Sequence, residues 1–372
     1  MLSKTSKAVF LAFSLFSSIV YSSDGSSANL KRDKFKYSDE PPKVEQSSQI
    51  NVQSDEVIRS GYNHPAEINL DAAYDVFITA AATYWDIQQE GMKVGSTYTS
   101  AVSSGPGGFA DTLYINDQFK PGFEVGLGVN TRFDDWVLKA NYIWLHHTLQ
   151  KNQGSFPFLS TPFVLVGSGG GGVVFTNSSH KWSFGIDIGD LLLSRPCYQG
   201  ERLTINPYFG LRTQFFSQSY HISGTTTLTT NATSIWKSSS WAIGPRFGLE
   251  SNWLLGAGFK LIAGASGSLL FTKYAPLKYQ EPTATSISST GYSFKMTTQD
   301  YLRADLDSKI GVAWGQYSAE NRFHFEFAAT YDFQVFFSQN MITWMMNNIN
   351  NVEATAGNLY LNGLTVEGRF DF

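Results

Sequence analysis

The stretch GLTVEGRFDF, residues 363–372, is apolar or small at Leu364, Val366, Gly368, Phe370 and Phe372 and polar or charged at Thr365, Glu367, Arg369 and Asp371. A strict period of two is the pattern of a strand with one greasy and one wet face, because successive side chains leave opposite sides of the pleat. A soluble sheet gives the same pattern, so composition has to arbitrate. Charged residues make up 16% of the 372-residue chain, against roughly 25% in soluble domains, while aromatics reach 15% and glycine numbers 33. That mixture suits many strands with an aromatic, weakly charged outer surface.

The same alternation recurs upstream. In RFHFEFAATYDFQVFF, Phe323, Phe325, Phe327, Ala329, Tyr331, Phe333 and Val335 oppose His324, Glu326, Ala328, Thr330, Asp332 and Gln334. In YLRADLDSKIGVAW, Leu302, Ala304, Leu306, Ile310, Val312 and Trp314 oppose Arg303, Asp305, Asp307 and Lys309. Two carboxylates and two cations on one strand face need water or each other, which a dry sandwich core does not supply. Ten such segments are expected, roughly 74–87, 119–132, 136–147, 181–193, 203–218, 239–250, 253–274, 301–314, 323–337 and 358–372. A further pair is possible if PFVLVGSGGGGVVF also pairs.

The connections after odd-numbered segments are long and those after even-numbered ones short: FDD, SRPCYQGE, SN and GQYSAENR. A closed up-and-down barrel in an outer membrane has this asymmetry, with short periplasmic turns and long external loops. Only a ring of strands satisfies every backbone amide in hydrocarbon without an edge. The fold class expected is therefore all-β, a transmembrane antiparallel barrel of about ten strands, twelve if the extra pair forms. The competing architecture is a secreted β-sandwich with one wetted face per sheet.

The first residues, MLSKTSKAVFLAFSLFSSIVYSSDG, place Lys4 and Lys7 before an apolar run from Ala8 to Val20 and then small residues. This is the order of a secretory signal peptide, with an apolar run too short for a membrane helix. Residues 1–22 are read as that signal, 23–70 as a flexible polar arm and 71–372 as the barrel. A net charge of −4 gives no basic footprint for nucleic acid. Cys197 is the single cysteine, which excludes an intramolecular disulfide and a cysteine metal cluster.

The runs IDIGDLLLSR, LTINPYFGLRTQFFSQSY, WAIGPRFGLESNWLLGAGFKLIAGASGSLLFTKY, YDFQVFFSQN and GNLYLNGLTVEGRFDF resemble the pore-forming major outer membrane protein family of Legionella and environmental chlamydia-like bacteria, over roughly residues 72–372. The resemblance implies an outer-membrane barrel acting as a general diffusion porin, often abundant and exposed to the host. Two departures stand out. Chlamydial members are cysteine-rich and cross-linked, which a chain with Cys197 alone is not, and Gly368 sits one place later than in the common terminal-strand assembly signal.

On the polar strand faces, Arg212, Arg246, Glu250, Arg303, Asp305, Asp307, Lys309, Glu326, Glu367 and Arg369 are expected to face the lumen. There they either line a water path, which Arg212 and Arg246 would bias toward anionic solutes, or form a paired ladder that fills a narrow barrel. MITWMMNNINN, residues 341–351, is unusually apolar for an external loop, and Trp344, Met345 and Met346 are candidates for a constriction at the barrel mouth or, second, for contact with a partner. Trp136, Trp144, Trp182, Trp241 and Trp253 lie near segment ends, as interfacial girdles do. Phe370 and Phe372 are the candidate assembly signal.

GSGGGG, residues 167–172, lacks the Lys-Ser/Thr ending of a phosphate loop and reads as flexible. No nucleophile elbow or zinc spacing is found, and neither enzyme activity nor a cofactor is expected. The function read from these features is passive diffusion of small hydrophilic solutes or ions. The alternative is a structural or adhesive barrel with a filled lumen, acting through its loops. Expected partners are the outer-membrane bilayer, the assembly machinery, further copies of the chain (a trimer) or a host surface.

Overall fold

Val76 and Phe372 exchange two backbone hydrogen bonds, N to O at 3.2 and 3.0 Å, so the first and last strands are neighbours. In the computed structural model the described residues are Ala66, Ile68, Leu70 and 75–372, apart from 99, 103–104, 108–110, 116–117, 132–134, 156, 165–172, 228–229, 282–291, 319–320, 350–352 and 354. The expected signal peptide and nearly all of the expected arm, as well as GSGGGG, lie outside them.

Ten long strands build the wall: β1 Val76–Gln89, β2 Phe119–Asn130, β3 Val137–Gln153, β4 Val173–Ser194, β5 Leu203–Thr226, β6 Asn231–Gly256, β7 Phe259–Tyr274, β8 Gln299–Ser318, β9 Phe323–Asn340 and β10 Gly357–Asp371. Each pairs antiparallel with its successor. The ring closes where β1 meets β10, from Phe77↔Asp371 to Gln89↔Leu359. The number is ten, not twelve, because Val173, Val174 and Phe175 begin β4 and pair with the short strand Phe158–Thr161 rather than adding to the wall.

Alternation sets the two faces. Outward side chains form an apolar belt that includes Ile78, Phe123, Leu211, Phe247, Leu269, Leu306, Ile310, Phe327 and Val366. Their neighbours along each strand turn inward and carry the charge. A crossing needs about 9 to 11 tilted residues, yet β5 and β6 run to 24 and 26 residues. The surplus lies toward the external end, where the pattern inverts. Trp182, Phe184, Ile186, Phe216, Tyr220 and Trp236 are buried inside, while Lys181, Ser217, Lys237 and Ser239 face out. Above the lipid, water wets the outer face and the apolar residues turn to the core.

Three sequence expectations are corrected. Trp182 is 2% exposed and belongs to the inner core rather than to a lipid-facing girdle, because it sits on the inverted part of β4. The sixth segment does not end at SN: β6 continues to Gly256, and the turn is Gly256, Ala257 and Gly258, with φ of 104°, 51° and 82°. Two glycines tolerate that left-handed backbone where Ser251 and Asn252 are ordinary strand residues. The long connection expected at 219–238 is instead a continuing hairpin, paired as far as Thr225↔Asn231.

Candidate functional site

Inside the belt, Arg212 reaches sideways to Asp190 through Nε at 2.8 Å and Nη2 at 2.9 Å, a bidentate grip. Its Nη1 turns to Asp305 at 3.3 Å and Asp307 at 3.2 Å on β8. Arg246, on the adjacent strand, donates through Nη2 to Asp307 and, at 2.8 Å, to Ser266. The Ser266 hydroxyl itself donates to Asp307 at 3.2 Å. Arg212 is only 1% exposed, and charges so enclosed persist where each finds partners. This cluster ties β4, β5, β6, β7 and β8 together across the interior.

A second level is wetter. Lys309 meets Glu250 at 2.6 Å across Gly264, with 42% of the lysine side chain and 26% of the glutamate reachable by water. A Cβ at Gly264 would stand 3.1 Å from Lys309 Cε, so the missing side chain leaves the lysine its place. Glu124 and Glu367 approach Lys309 from β2 and β10. Asn141 donates to Glu124 at 2.6 Å. Since Ile310 beside Lys309 points to the outer face, the exposed surface of Lys309 opens to the inside of the ring. Nearer the chain termini Lys260 pairs with Glu326 at 2.7 Å. Arg369 binds Asp371 at 2.6 Å and lies 3.9 Å over the Phe77 ring, while His324 holds the other Asp371 oxygen at 2.9 Å.

Toward the external end the interior becomes apolar. The helix α1, Met341–Ile349, directly follows β9. Asn340 caps it, its Oδ1 accepting from the amides of Ile342 at 3.1 Å and Thr343 at 3.3 Å. Met341, Ile342 and Met345 are buried, at helical spacing, in a core shared with Trp85, Leu145, Trp182, Phe216 and Tyr274, and Trp344 and Met346 pack against its edge. Two further bonds pin the helix to the end of β1: Asn340 Nδ2 to Glu90 O at 2.7 Å and Thr343 Oγ1 to Gly91 O at 3.2 Å. Below it Arg303 stacks 4.3 Å over Tyr301 and donates to Met341 Sδ at 3.5 Å.

All ten candidate charged residues therefore lie on inward faces, in separate levels rather than one stripe. Sequence reasoning missed Asp190 and Lys260, while Glu124 and Asp371 were read as polar-face positions but not set among the ten candidates. Asp190 was legible only as one polar position in IDIGDLLLSR, since its partnership with Arg212 depends on the β4–β5 register. Phe370 packs at ring-centroid distances of 4.8 Å on Phe325 and 5.5 Å on Phe372, along the outer rim. Among the described residues no cluster of metal-ligating side chains is found.

Residues 69–372 match the model of the family described as Legionella pneumophila major outer membrane protein precursor. The chain belongs to that family and is an outer-membrane β-barrel protein. No curated protein matches it. Among solved structures it is similar to a Pseudomonas aeruginosa FadL homologue (7% identity, 80% of this chain and 89% of that one, TM-score 0.27). It is also similar to the Pseudomonas putida toluene transporter TodX (9%, 83% and 91%, TM-score 0.21) and to OmpT of Vibrio cholerae (7%, 82% and 100%, TM-score 0.17). The assignment rests on the family match.

Proposed function

We propose that the protein is a gated diffusion channel: small hydrophilic solutes or ions pass through a charged vestibule in the lower barrel, and α1 with its apolar surroundings closes the outer end at rest. The observation that carries this reading is Lys309, 42% reachable by water although the wall surrounds it. Glu124, Glu250 and Glu367 around it would interact with passing ions. Passage of this kind makes and breaks no covalent bond, so no enzyme activity is assigned. Arg212 and Arg246 would serve as struts, because their charges are already engaged by three aspartates. Insertion would use the outer-membrane assembly machinery reading Phe370 and Phe372, and assembly as a trimer is compatible with a channel.

A second reading is favoured by that arginine cluster: a filled barrel that acts through its loops on a host surface. Liposome swelling in isosmotic arabinose separates the two. The channel reading expects slow swelling with the wild-type chain and at least tenfold faster swelling when residues 341–349 are replaced by a Gly-Ser linker. Equally slow swelling for both, with the barrel inserted, would overturn it.

A further inference from the structure

The outer wall carries its own arrangement of charge. Reading across strands in register, Thr148 faces Ser183, Ser183 faces Ser219 and Ser219 faces Lys237. Lys237 faces Lys278 on the short strand Lys278–Glu281, and Lys278 faces Lys295 on Tyr292–Lys295. Six neighbouring strands thus present one row of three hydroxyls followed by three lysines. The next row toward the membrane is His146, Gly185, Ser217 and Ser239, and the row below that is Trp144, Asp187, Phe215 and Trp241. The first two rows apart from Thr148, with Ala275 and Pro276, line a recess of about 520 Å³.

Three cations side by side in a ladder repel one another. Among the described residues no carboxylate lies within ion-pair distance of Lys237, Lys278 or Lys295. The acids nearby are engaged elsewhere: Asp187 with His146 at 2.9 Å and with Tyr142 at 2.6 Å, and Asp300 toward Lys273 at 3.9 Å. Glu281, two residues from Tyr279, is buried on the opposite face. The lysine row stands four residues beyond Trp241, about 13 Å along a strand that rises ~3.3 Å per residue, and Trp241, 42% exposed, belongs to the aromatic rim of the apolar belt. Lysine stems can reach back over part of that distance.

We propose that this recess binds the phosphorylated headgroup of an outer-leaflet lipid, with Lys237, Lys278 and Lys295 on the phosphate and the hydroxyls of Ser183, Ser217, Ser219 and Ser239 on its sugar. A lipid is favoured over a free anion because the recess opens directly above the lipid-facing aromatics, so an anchored acyl chain would lie against Trp241 and Phe271 while the headgroup fills the recess. Juxtamembrane lysine clusters draw anionic headgroups by the same electrostatics. The inference is independent of whether the barrel conducts.

The test uses the full chain refolded in detergent, titrated with bis-phosphorylated lipid A and followed by native mass spectrometry. Retention of the phosphorylated lipid is expected, with apparent affinity at least tenfold lower for dephosphorylated lipid A and for a chain carrying Lys237→Gln, Lys278→Gln and Lys295→Gln. Millimolar inorganic phosphate should not displace the lipid. Equal binding by wild type and triple variant, or full competition by inorganic phosphate, would overturn the proposal. Should the triple variant fail to fold, Lys278→Gln alone must weaken binding and Lys278→Arg must restore it; indifference of both to binding would count equally against the site.

Discussion

Arg212 and Asp190 face each other directly across β5 and β4 and are joined by two parallel N–H···O bonds of 2.8 and 2.9 Å. The pair anchors a cluster in which two arginines meet three aspartates. Removing one arginine leaves carboxylates enclosed against one another. Arg212→Ala is expected to cost about 3 to 5 kcal/mol, the range for breaking a buried pair from one side. Arg212→Lys should lose less, keeping charge but not the fork. Urea midpoints of the refolded barrel measure both, and an unchanged midpoint would show that the cluster bears no strain of the fold.

Orientation of the strands is open to a sharper check. Leu306 is 51% exposed on the lipid side, between the inward Asp305 and Asp307. Leu306→Arg should destabilise the folded barrel by about 2 to 4 kcal/mol in lipid, as cations do on the lipid face near mid-depth. Folding titrations in bilayers of defined thickness read this out. Tolerance of the arginine would mean that β8 is placed the other way round.

How far the sequence carried these conclusions differs from level to level. Ten segments, their two faces and the meeting of chain ends were legible, because period two and the alternation of loop lengths are local signals. Partnerships were not: Arg212 with Asp190 depends on register between strands, and a slip of one residue would exchange lumen and lipid. Trp182 misled because a tryptophan near a segment end looks the same whether the strand stops at the membrane or continues above it. SN resembled a turn more than WLLGAG did, yet only the latter supplies glycines where φ is positive. The segment MITWMMNNINN was read as a candidate constriction but not as a helix, although Asn340 before an apolar 341, 342, 345 spacing is a cap followed by an amphipathic turn.

The outer end carries a pH dependence. Glu90 accepts from Tyr360 Oη at 2.6 Å and from the Asn358 amide at 3.0 Å. The Tyr360 hydroxyl, helped by that amide, holds the Glu90 carboxyl below its ordinary value. A depressed carboxylate contributes stability that is fully present above its unfolded value, about 4.3, and is lost as pH falls through the lower folded value. Hydrogen exchange at Asn358 should therefore be slow at pH 6 and accelerate only below about pH 4, beyond the change in intrinsic rate. Glu90→Gln should abolish that step; its persistence would assign it to another group.

Vestibule charge should set ion preference once the outer end is open. In a chain with 341–349 replaced by a Gly-Ser linker, Lys309→Glu turns the centre of the wet level from one cation among Glu124, Glu250 and Glu367 into a fourth carboxylate. The reversal potential in a salt gradient is expected to move toward cations, by more than Arg212→Lys moves it. An unchanged potential would place the ion path away from Lys309.

The most direct test of the account is single-channel conductance in a planar bilayer, comparing the wild-type chain with the 341–349 replacement. The account predicts rare, brief openings for the wild type and stable open steps for the replacement. Inserted barrels of both chains that carry no current would contradict it, and the interior would then be a filled scaffold beneath functional loops.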